Sequence, residues 1–171
     1  LKKDALQILE GELRKKRRKG VVGVGAMSDT YNPFEEEMEA TRGALKLLDQ
    51  YGFGVALDTK STLVLRDIDL IERISRKHCT NIKITVTTVD DSLSKVIEPY
   101  APASSERFRA IRELSRAGIF AGVLFTPMLP YITDTEENVA EMIRLAYENG
   151  ARFIFPAFGM TLRQNQRDYY Y

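Results

Sequence analysis

A short Val/Gly strand, Val21 to Gly25, runs into a polar segment whose side chains could bind a small molecule. Ser28 and Asp29 follow the strand, and Tyr31 and Glu35 come soon after. In parallel α/β proteins, ligands bind at the carboxyl ends of strands, so polar residues crowded there indicate a binding site. Helix capping by Asp29 and the helix dipole at Glu35 would explain the two acids without a ligand. Neither effect explains Ser28 together with Tyr31.

Other strand ends carry further groups with binding chemistry. Lys60 follows the second apolar run, where its ammonium could pair with a ligand carboxylate or phosphate, or with an acid such as Asp58. Alternation places Thr85 and Thr87 on one face of the third strand, and one threonine-bearing face should line the interior of a barrel. Arg107 in the first turn of a helix opposes the helix dipole, so it needs an exposed ion pair or an anionic ligand.

Metal ligands are scarce in this sequence. The chain has one cysteine, Cys79, and one histidine, His78. These are too few to build a metal site from the chain's own residues. A lone thiol cannot form an internal disulfide, and beside a strand we expect Cys79 to be a small core residue.

One pattern recurs along the chain: an apolar strand, a polar loop and an amphipathic helix. It implies a parallel sheet. Because every strand is followed by small, polar or proline residues, a partial TIM-type (β/α) barrel of about five parallel strands is favoured over an open doubly wound sheet. Strands are predicted at Val21 to Gly25, Gly54 to Asp58, Ile82 to Thr88, Ala121 to Thr126 and Arg152 to Pro156, with helices near 35–51, 67–78, 104–117 and 135–149 and C-caps at Gly52, Gly118 and Gly150.

Composition describes an ordinary globular domain. The 171 residues are 44% hydrophobic and 29% charged, which is enough apolar material for one core. The formal charge of +1 provides no long-range field to attract nucleic acid or anionic membranes. No apolar run approaches the roughly 20 residues of a membrane helix, and we expect the opening segment to form an amphipathic helix rather than a secretory leader. We therefore expect no membrane partner and a cytoplasmic location.

Taken together, the ordered loops resemble the radical S-adenosylmethionine (radical SAM) superfamily, closest to the spore photoproduct lyase-related, DNA repair photolyase-like group. The resemblance covers essentially the whole chain. It implies a protein that uses S-adenosylmethionine and a [4Fe-4S] cluster to generate a 5′-deoxyadenosyl radical. The matching stretches are SDTYNPFE at 28–35, TKSTLVLRDIDLI at 59–71, the run from ITVTTVD through IEPYAPASSERFRAI, the PMLPYITD loop, and FGMTLR at 158–163.

The resemblance also implies roles for individual residues. Ser28 and Asp29 would approach the methionyl part of the cofactor, Lys60 its carboxylate, and Thr85 would donate a hydroxyl to the same group. Ala26 stands where spore photoproduct lyase itself has a hydrogen-donating cysteine, so repair of the spore DNA lesion by that mechanism is not expected. The full expected cofactor-binding set is Ser28, Asp29, Glu35, Lys60, Ser61, Thr85, Thr87 and Arg107.

The C-x-x-x-C-x-x-C loop that holds the cluster in this family is absent from the sequence. The resemblance therefore implies a single partial barrel domain over residues 1–171, without the first strand, its cluster loop and a C-terminal portion. Such a chain should bind no cluster and should be inactive alone. Unpaired sheet edges would favour self-association.

Two other functions fit the residues. The chain could be a non-catalytic scaffold that self-associates through open sheet edges, or an unrelated barrel lyase, such as an aldolase, with Lys60 as the nucleophilic amine. The substrate is left open. The basic run Arg14 to Lys19 would suit nucleic acid, but basic residues at a helix C-terminus also complement the helix dipole.

Overall fold

The computed structural model describes residues 4–25 and 28–158. Within these ranges, strands alternate with helices as the sequence predicts. The elements are α1 (Ala5–Lys15), β1 (Val21–Val24), α2 (Glu35–Met38), α3 (Ala40–Tyr51), β2 (Gly54–Thr59), a 3₁₀-helix (Thr62–Asp67), α4 (Ile68–Ser75), β3 (Thr80–Thr85), α5 (Asp91–Ile97), α6 (Ser104–Arg116), β4 (Ala121–Met128), α7 (Glu136–Glu148) and β5 (Ile154–Phe158).

The five strands form one parallel sheet in which each strand pairs with the next along the chain, in the order β1-β2-β3-β4-β5. An open doubly wound sheet would reverse its strand order at a switch point. An order without reversal, with a helical connection after each strand, is that of a (β/α) barrel. The prediction of an α/β fold built as a partial barrel of five parallel strands is therefore confirmed.

Side chains along the strands alternate between a face that packs on the helices and a concave face. On the helix-packed face, Val55, Leu57 and Ile84 are completely buried in the hydrophobic core. On the concave face, Asp58 and Lys83 are register partners on adjacent strands and form an ion pair of 2.5 Å. The inside of the partial barrel is therefore polar close to the carboxyl ends of its strands.

The helix predicted over 35–51 is divided into α2 and α3. Glu39 adopts a φ of 45°, in the left-handed region, and ends one helix before the other begins. The predicted C-caps are confirmed, because Gly52, Gly118 and Gly150 adopt φ angles of 73°, 73° and 74° at helix ends. The short helix α5 was not predicted, since its seven residues provide too little apolar periodicity.

The third strand is shorter at its carboxyl end than predicted. It ends at Thr85, so the prediction that Thr87 lies on this strand was wrong. Beyond Thr85 the chain turns toward α5, because the Thr88 hydroxyl accepts a hydrogen bond from the Asp90 amide at 3.2 Å. The Asn138 side chain accepts another from the Val89 amide at 2.9 Å.

Two sequence predictions concern residues outside the described ranges. Ala26 lies in the gap after β1, and only Phe158 of the FGMTLR stretch is described. Among the residues that are described, no helix combines the length and apolar character that a membrane crossing requires.

Candidate cofactor-binding site

The carboxyl ends of β1 to β4 surround a cavity of about 300 Å³, which we call the central cavity. Ser28 and Asp29 follow β1, Lys60 follows β2, and Thr85 ends β3; all four line this cavity. Because the strands are parallel, residues far apart in sequence meet at the same end of the sheet. The structure thus brings together four of the eight predicted site residues.

Asp29 connects the loop after β1 to the end of β2. Its Oδ1 accepts hydrogen bonds from the Thr59 hydroxyl at 2.6 Å and from the Tyr31 amide at 2.9 Å. Its Oδ2 accepts a hydrogen bond from the Lys60 amide at 2.7 Å. All three donors are uncharged, so the carboxylate is oriented without being neutralised. It contributes a negative charge to the wall of the central cavity.

Lys60 forms an ion pair with Glu98, a residue outside the predicted site. Its Nζ lies 2.8 Å from Oε1 of Glu98, which follows α5. Asp58, the acid considered as a partner from the sequence, pairs instead with Lys83. The Lys60 side chain remains 39% exposed, so the ammonium is still accessible.

Arg107 is completely buried behind Glu98. Its Nη1 donates to Glu98 Oε2 at 2.6 Å and to the Thr85 carbonyl at 3.0 Å, while Nε donates to the Pro102 carbonyl at 2.7 Å. The partner of this guanidinium is therefore a carboxylate that is only 10% exposed, rather than a fully exposed acid. Arg107 does not line the central cavity, so the predicted direct contact with a cofactor finds no support in this geometry.

Glu98 thus bridges two cations with its two carboxylate oxygens. Burial by itself raises the pKa of Glu98, but the hydrogen bond from Lys60 and the charge of Arg107 outweigh burial and leave the pKa below its ordinary value. The residue was missed because no local spacing connects it to Lys60. Its only sequence signal is an acid nine positions before Arg107 on the same polar segment.

Glu35 has a structural role in the folded chain. It is 3% exposed, and its carboxylate accepts hydrogen bonds from the amides of Thr41 at 2.9 Å and Arg42 at 3.3 Å, in the first turn of α3. Arg66 Nη2 lies 2.8 Å from the same carboxylate. Glu35 was expected to favour the N-terminus of its own helix, α2. Its carboxylate instead caps the N-terminus of the next helix, α3.

Ser61 and Thr87 also lie outside the lining of the central cavity. The Ser61 hydroxyl caps the 3₁₀-helix by accepting a hydrogen bond from the Leu63 amide at 3.2 Å. Thr87 is 1% exposed, and its hydroxyl has no hydrogen-bond partner among the described residues. A cofactor role for these two residues remains a prediction.

A buried polar network supports the walls of the central cavity. Tyr31 donates its hydroxyl to Asp67 Oδ2 at 3.1 Å, which joins the loop after β1 to the 3₁₀-helix after β2. Asp67 also accepts from Arg42 Nη1 at 2.7 Å and from Arg66 Nη2 at 2.8 Å. Burial by itself raises the pKa of Asp67, but hydrogen bonds from Arg66 and Arg42 lower it below its ordinary value. Burial and then the charge of Asp67 raise the pKa of Tyr31.

A larger cavity of about 820 Å³ lies beside the central cavity, between the loop after β1, the 3₁₀-helix and the loop before α6. We call it the lateral cavity. Asp29 and Lys60 line both cavities, whereas Glu98 lines only the lateral one. Lys60 therefore stands at the boundary between the two cavities.

An iron–sulfur cluster does not fit the described residues. Such clusters are held by several cysteine thiolates, and the chain has one cysteine. Cys79 is exposed, contrary to the expected core position, because it directly precedes β3 at the amino end of the sheet. The central cavity lies at the opposite end. Across residues 4–25 and 28–158, no three His, Cys, Asp or Glu side chains are grouped to hold a metal ion.

Known proteins have sequences similar to this one over much of the chain. The family model described as the Radical SAM superfamily matches residues 3–146. An uncharacterized protein of Methanocaldococcus jannaschii is 32% identical over 129 residues, covering 75% of this chain and 48% of the relative. An uncharacterized protein of Mycobacterium tuberculosis is 26% identical over 171 residues, covering 99% of this chain and 50% of the relative. The chain thus spans about half the length of these relatives.

Two solved structures share the fold. Spore photoproduct lyase complexed with dinucleoside spore photoproduct superposes with a TM-score of 0.62 at 16% identity, covering 85% of this chain and 41% of the lyase. Streptococcus suis SuiB bound to S-adenosylmethionine superposes with a TM-score of 0.54 at 10% identity, covering 74% of this chain and 30% of SuiB. These identities establish a likeness of fold. Because the family match extends over most of the chain, this protein belongs to the radical SAM superfamily.

Proposed function

We propose that this chain is the S-adenosylmethionine-binding part of a radical SAM enzyme. The observation that carries the proposal is that an acid, Asp29, and a base, Lys60, both line one small cavity. The methionyl end of S-adenosylmethionine carries an ammonium and a carboxylate. Asp29 would face the ammonium and Lys60 the carboxylate, since charge-assisted hydrogen bonds are the strong ones.

Hydroxyl groups around the cavity would complete the site. Thr85 at the end of β3 and Ser28 after β1 line the same cavity, within the reach of one small ligand. When bound in an intact radical SAM enzyme, S-adenosylmethionine supplies a carbon-centred radical on one-electron reduction. This chain's residues would orient the cofactor so that its sulfonium lies in a defined place. The S-adenosylmethionine bound to SuiB, a structure of similar fold, supports this assignment.

The proposal divides the work between this chain and other parts of the protein. Cluster ligands are not expected from this chain, so we propose that it is inactive alone. We also propose that it forms a single partial barrel domain and is cytoplasmic. The enzyme's substrate is not assigned, and nucleic acid stays a hypothesis from the basic run Arg14 to Lys19.

Titration of S-adenosylmethionine into the full-length protein tests the role of Lys60. We expect Lys60→Ala to weaken binding about tenfold or more, because a hydrogen bond to a charged group contributes about 1.5–3 kcal/mol. Lys95→Ala is the matched control, since Lys95 is exposed on α5, and it should bind as the wild type does. Equal affinities in wild type and Lys60→Ala would remove Lys60 from the site.

A second proposal is self-association through the sheet edges. Within the described ranges, β1 and β5 are the edge strands, and both expose apolar side chains. Val21 is 47% exposed, Phe155 57% and Phe158 80%. Unpaired strand edges readily pair with another chain. Sedimentation at several protein concentrations tests this proposal, and a strict monomer at all of them would oppose it.

The aldolase alternative is not favoured. A Schiff-base lysine acts as a free amine in apolar or cationic surroundings. Lys60 is instead paired with the Glu98 carboxylate and partly exposed. Membership of the radical SAM superfamily also argues against an unrelated barrel lyase.

A further inference from the structure

The ion pair of Lys60 lies on one side of the boundary between the two cavities. Glu98 lines the lateral cavity and is not part of the central cavity's lining. Because Lys60 Nζ lies 2.8 Å from Glu98 Oε1, the Lys60 ammonium is paired on the side of the lateral cavity. The ligand carboxylate proposed above would instead lie in the central cavity. A single ammonium therefore has two candidate anionic partners, one in each cavity.

Glu98 is the member of this pair that cannot move freely. Its Oε2 lies 2.6 Å from Nη1 of Arg107, whose side chain is completely buried. The other acceptors for this guanidinium are the neutral carbonyls of Thr85 and Pro102. Withdrawing Glu98 would leave a buried guanidinium uncompensated, which is strongly destabilising. Glu98 is 10% exposed, and its ion pair with Arg107 holds it in place.

Lys60 is the mobile member. Its side chain is 39% exposed, and a lysine ammonium sits on a flexible stem with three donor hydrogens. If Lys60 turned toward the central cavity, Arg107 would keep its carboxylate. Water in the lateral cavity could then solvate Glu98 Oε1.

We infer that Glu98 is a positioning residue for Lys60. Without ligand, Glu98 holds the Lys60 ammonium at the lateral cavity as its counter-ion. When a ligand carboxylate enters the central cavity, Lys60 leaves Glu98 and pairs with that carboxylate. Glu98 stays on Arg107 throughout. This inference rests on the proposed function. Its consequence is that the charge of Glu98 competes with the carboxylate of the ligand.

The test measures ligand binding to the full-length protein and its Glu98→Gln variant. Glutamine keeps an oxygen acceptor for Arg107 but removes the competing charge. We expect S-adenosylmethionine to bind the variant about threefold to fivefold more tightly, the size expected for release from a partly exposed ion pair. 5′-Methylthioadenosine, which lacks the amino-acid end, should bind both proteins equally. In a Lys60→Ala background, Glu98→Gln should no longer tighten binding, as a double-mutant cycle would show.

Three results would overturn the inference while leaving the proposed function intact: weaker S-adenosylmethionine binding by Glu98→Gln, an equal change for both ligands, or undiminished tightening without Lys60. Failure of the wild type to bind S-adenosylmethionine would overturn the proposed function and this inference with it.

Because Glu98→Gln could unfold the protein through Arg107, a second measurement uses the wild type. The NMR signal of ¹³C-labelled methyl groups on Lys60 Nζ should change its chemical shift when S-adenosylmethionine binds. The same signal should keep its chemical shift when 5′-methylthioadenosine binds. An unchanged shift in the presence of bound S-adenosylmethionine would also overturn the exchange.

Discussion

Replacing Asp67 with asparagine should destabilise the fold through the loss of one buried charge. The Asp67 side chain is 0% exposed and accepts hydrogen bonds from Arg42, Arg66 and Tyr31. Breaking a buried ion pair costs about 3–5 kcal/mol. Arg42 keeps Asp69 and Arg66 keeps Glu35 as second partners, so both cations stay partly compensated. We therefore expect a loss at or below the lower end of that range, about 2–3 kcal/mol.

Urea unfolding of the full-length protein provides the measurement, with the change taken from the transition midpoint at an unchanged slope. Asp69→Asn is the matched control. Asp69 contacts the same Arg42, but its side chain is 55% exposed, so its loss should stay within about 1 kcal/mol. Equal losses for the two variants would refute the reasoning, because burial would then not decide the cost of removing the charge.

The same network has a defined dependence on pH. The pKa of Asp67 is lowered from 3.8 in the folded chain. The ionised form therefore stabilises the fold fully above the unfolded pKa, and this stabilisation is lost as the pH falls through the folded pKa. Asp67→Asn should lose less stability than the wild type when the pH is lowered below about 4. If the wild type and Asp67→Asn lost the same stability as the pH fell, Asp67 would not be the source of this pH dependence.

Two further substitutions test the packing of the fold. Gly54→Ala should cost about 1–3 kcal/mol in the free energy of unfolding, because its Cβ would collide with the Cys79 carbonyl oxygen, whereas Gly23→Ala on the adjacent strand meets nothing within 4 Å. Similar unfolding midpoints for the two alanine variants would contradict this packing. Glu35→Gln should cost about 2–3 kcal/mol because it removes a buried charge. The exposed Glu37→Gln should change stability by less than about 0.5 kcal/mol, and a Glu35 variant as stable as this control would argue against the capping role.

Local pattern was enough to locate most of the central cavity's polar residues. Ser28, Asp29 and Lys60 follow apolar runs, and a parallel sheet places all such positions at one end. The βα repeat alone therefore predicted which residues would share an edge. Alternation placed Thr85 and Thr87 on one face without deciding whether that face lines the interior, and the family resemblance singled out Thr85. Thr87 was misplaced because the strand ends earlier than its β-forming composition suggests.

The roles of the buried charges could not be derived from the same patterns. Periodicity reports which face of a helix or strand is apolar, and it carries no information about which charges meet across the fold. Glu35 caps a helix other than its own, and Arg107 is enclosed rather than exposed. Both outcomes depend on how the loops pack against neighbouring elements.

The order and spacing of residues along the chain were thus sufficient to predict the parallel (β/α) architecture. They also predicted the sheet edge at which the polar side chains lie, because both features follow from short-range periodicity. Tertiary packing alone decided that Lys60, Glu98 and Arg107 form one linked group. Burying a guanidinium demands a carboxylate, and that carboxylate then reaches the lysine on an adjacent loop. Long-range desolvation of this kind leaves no periodic trace in a sequence.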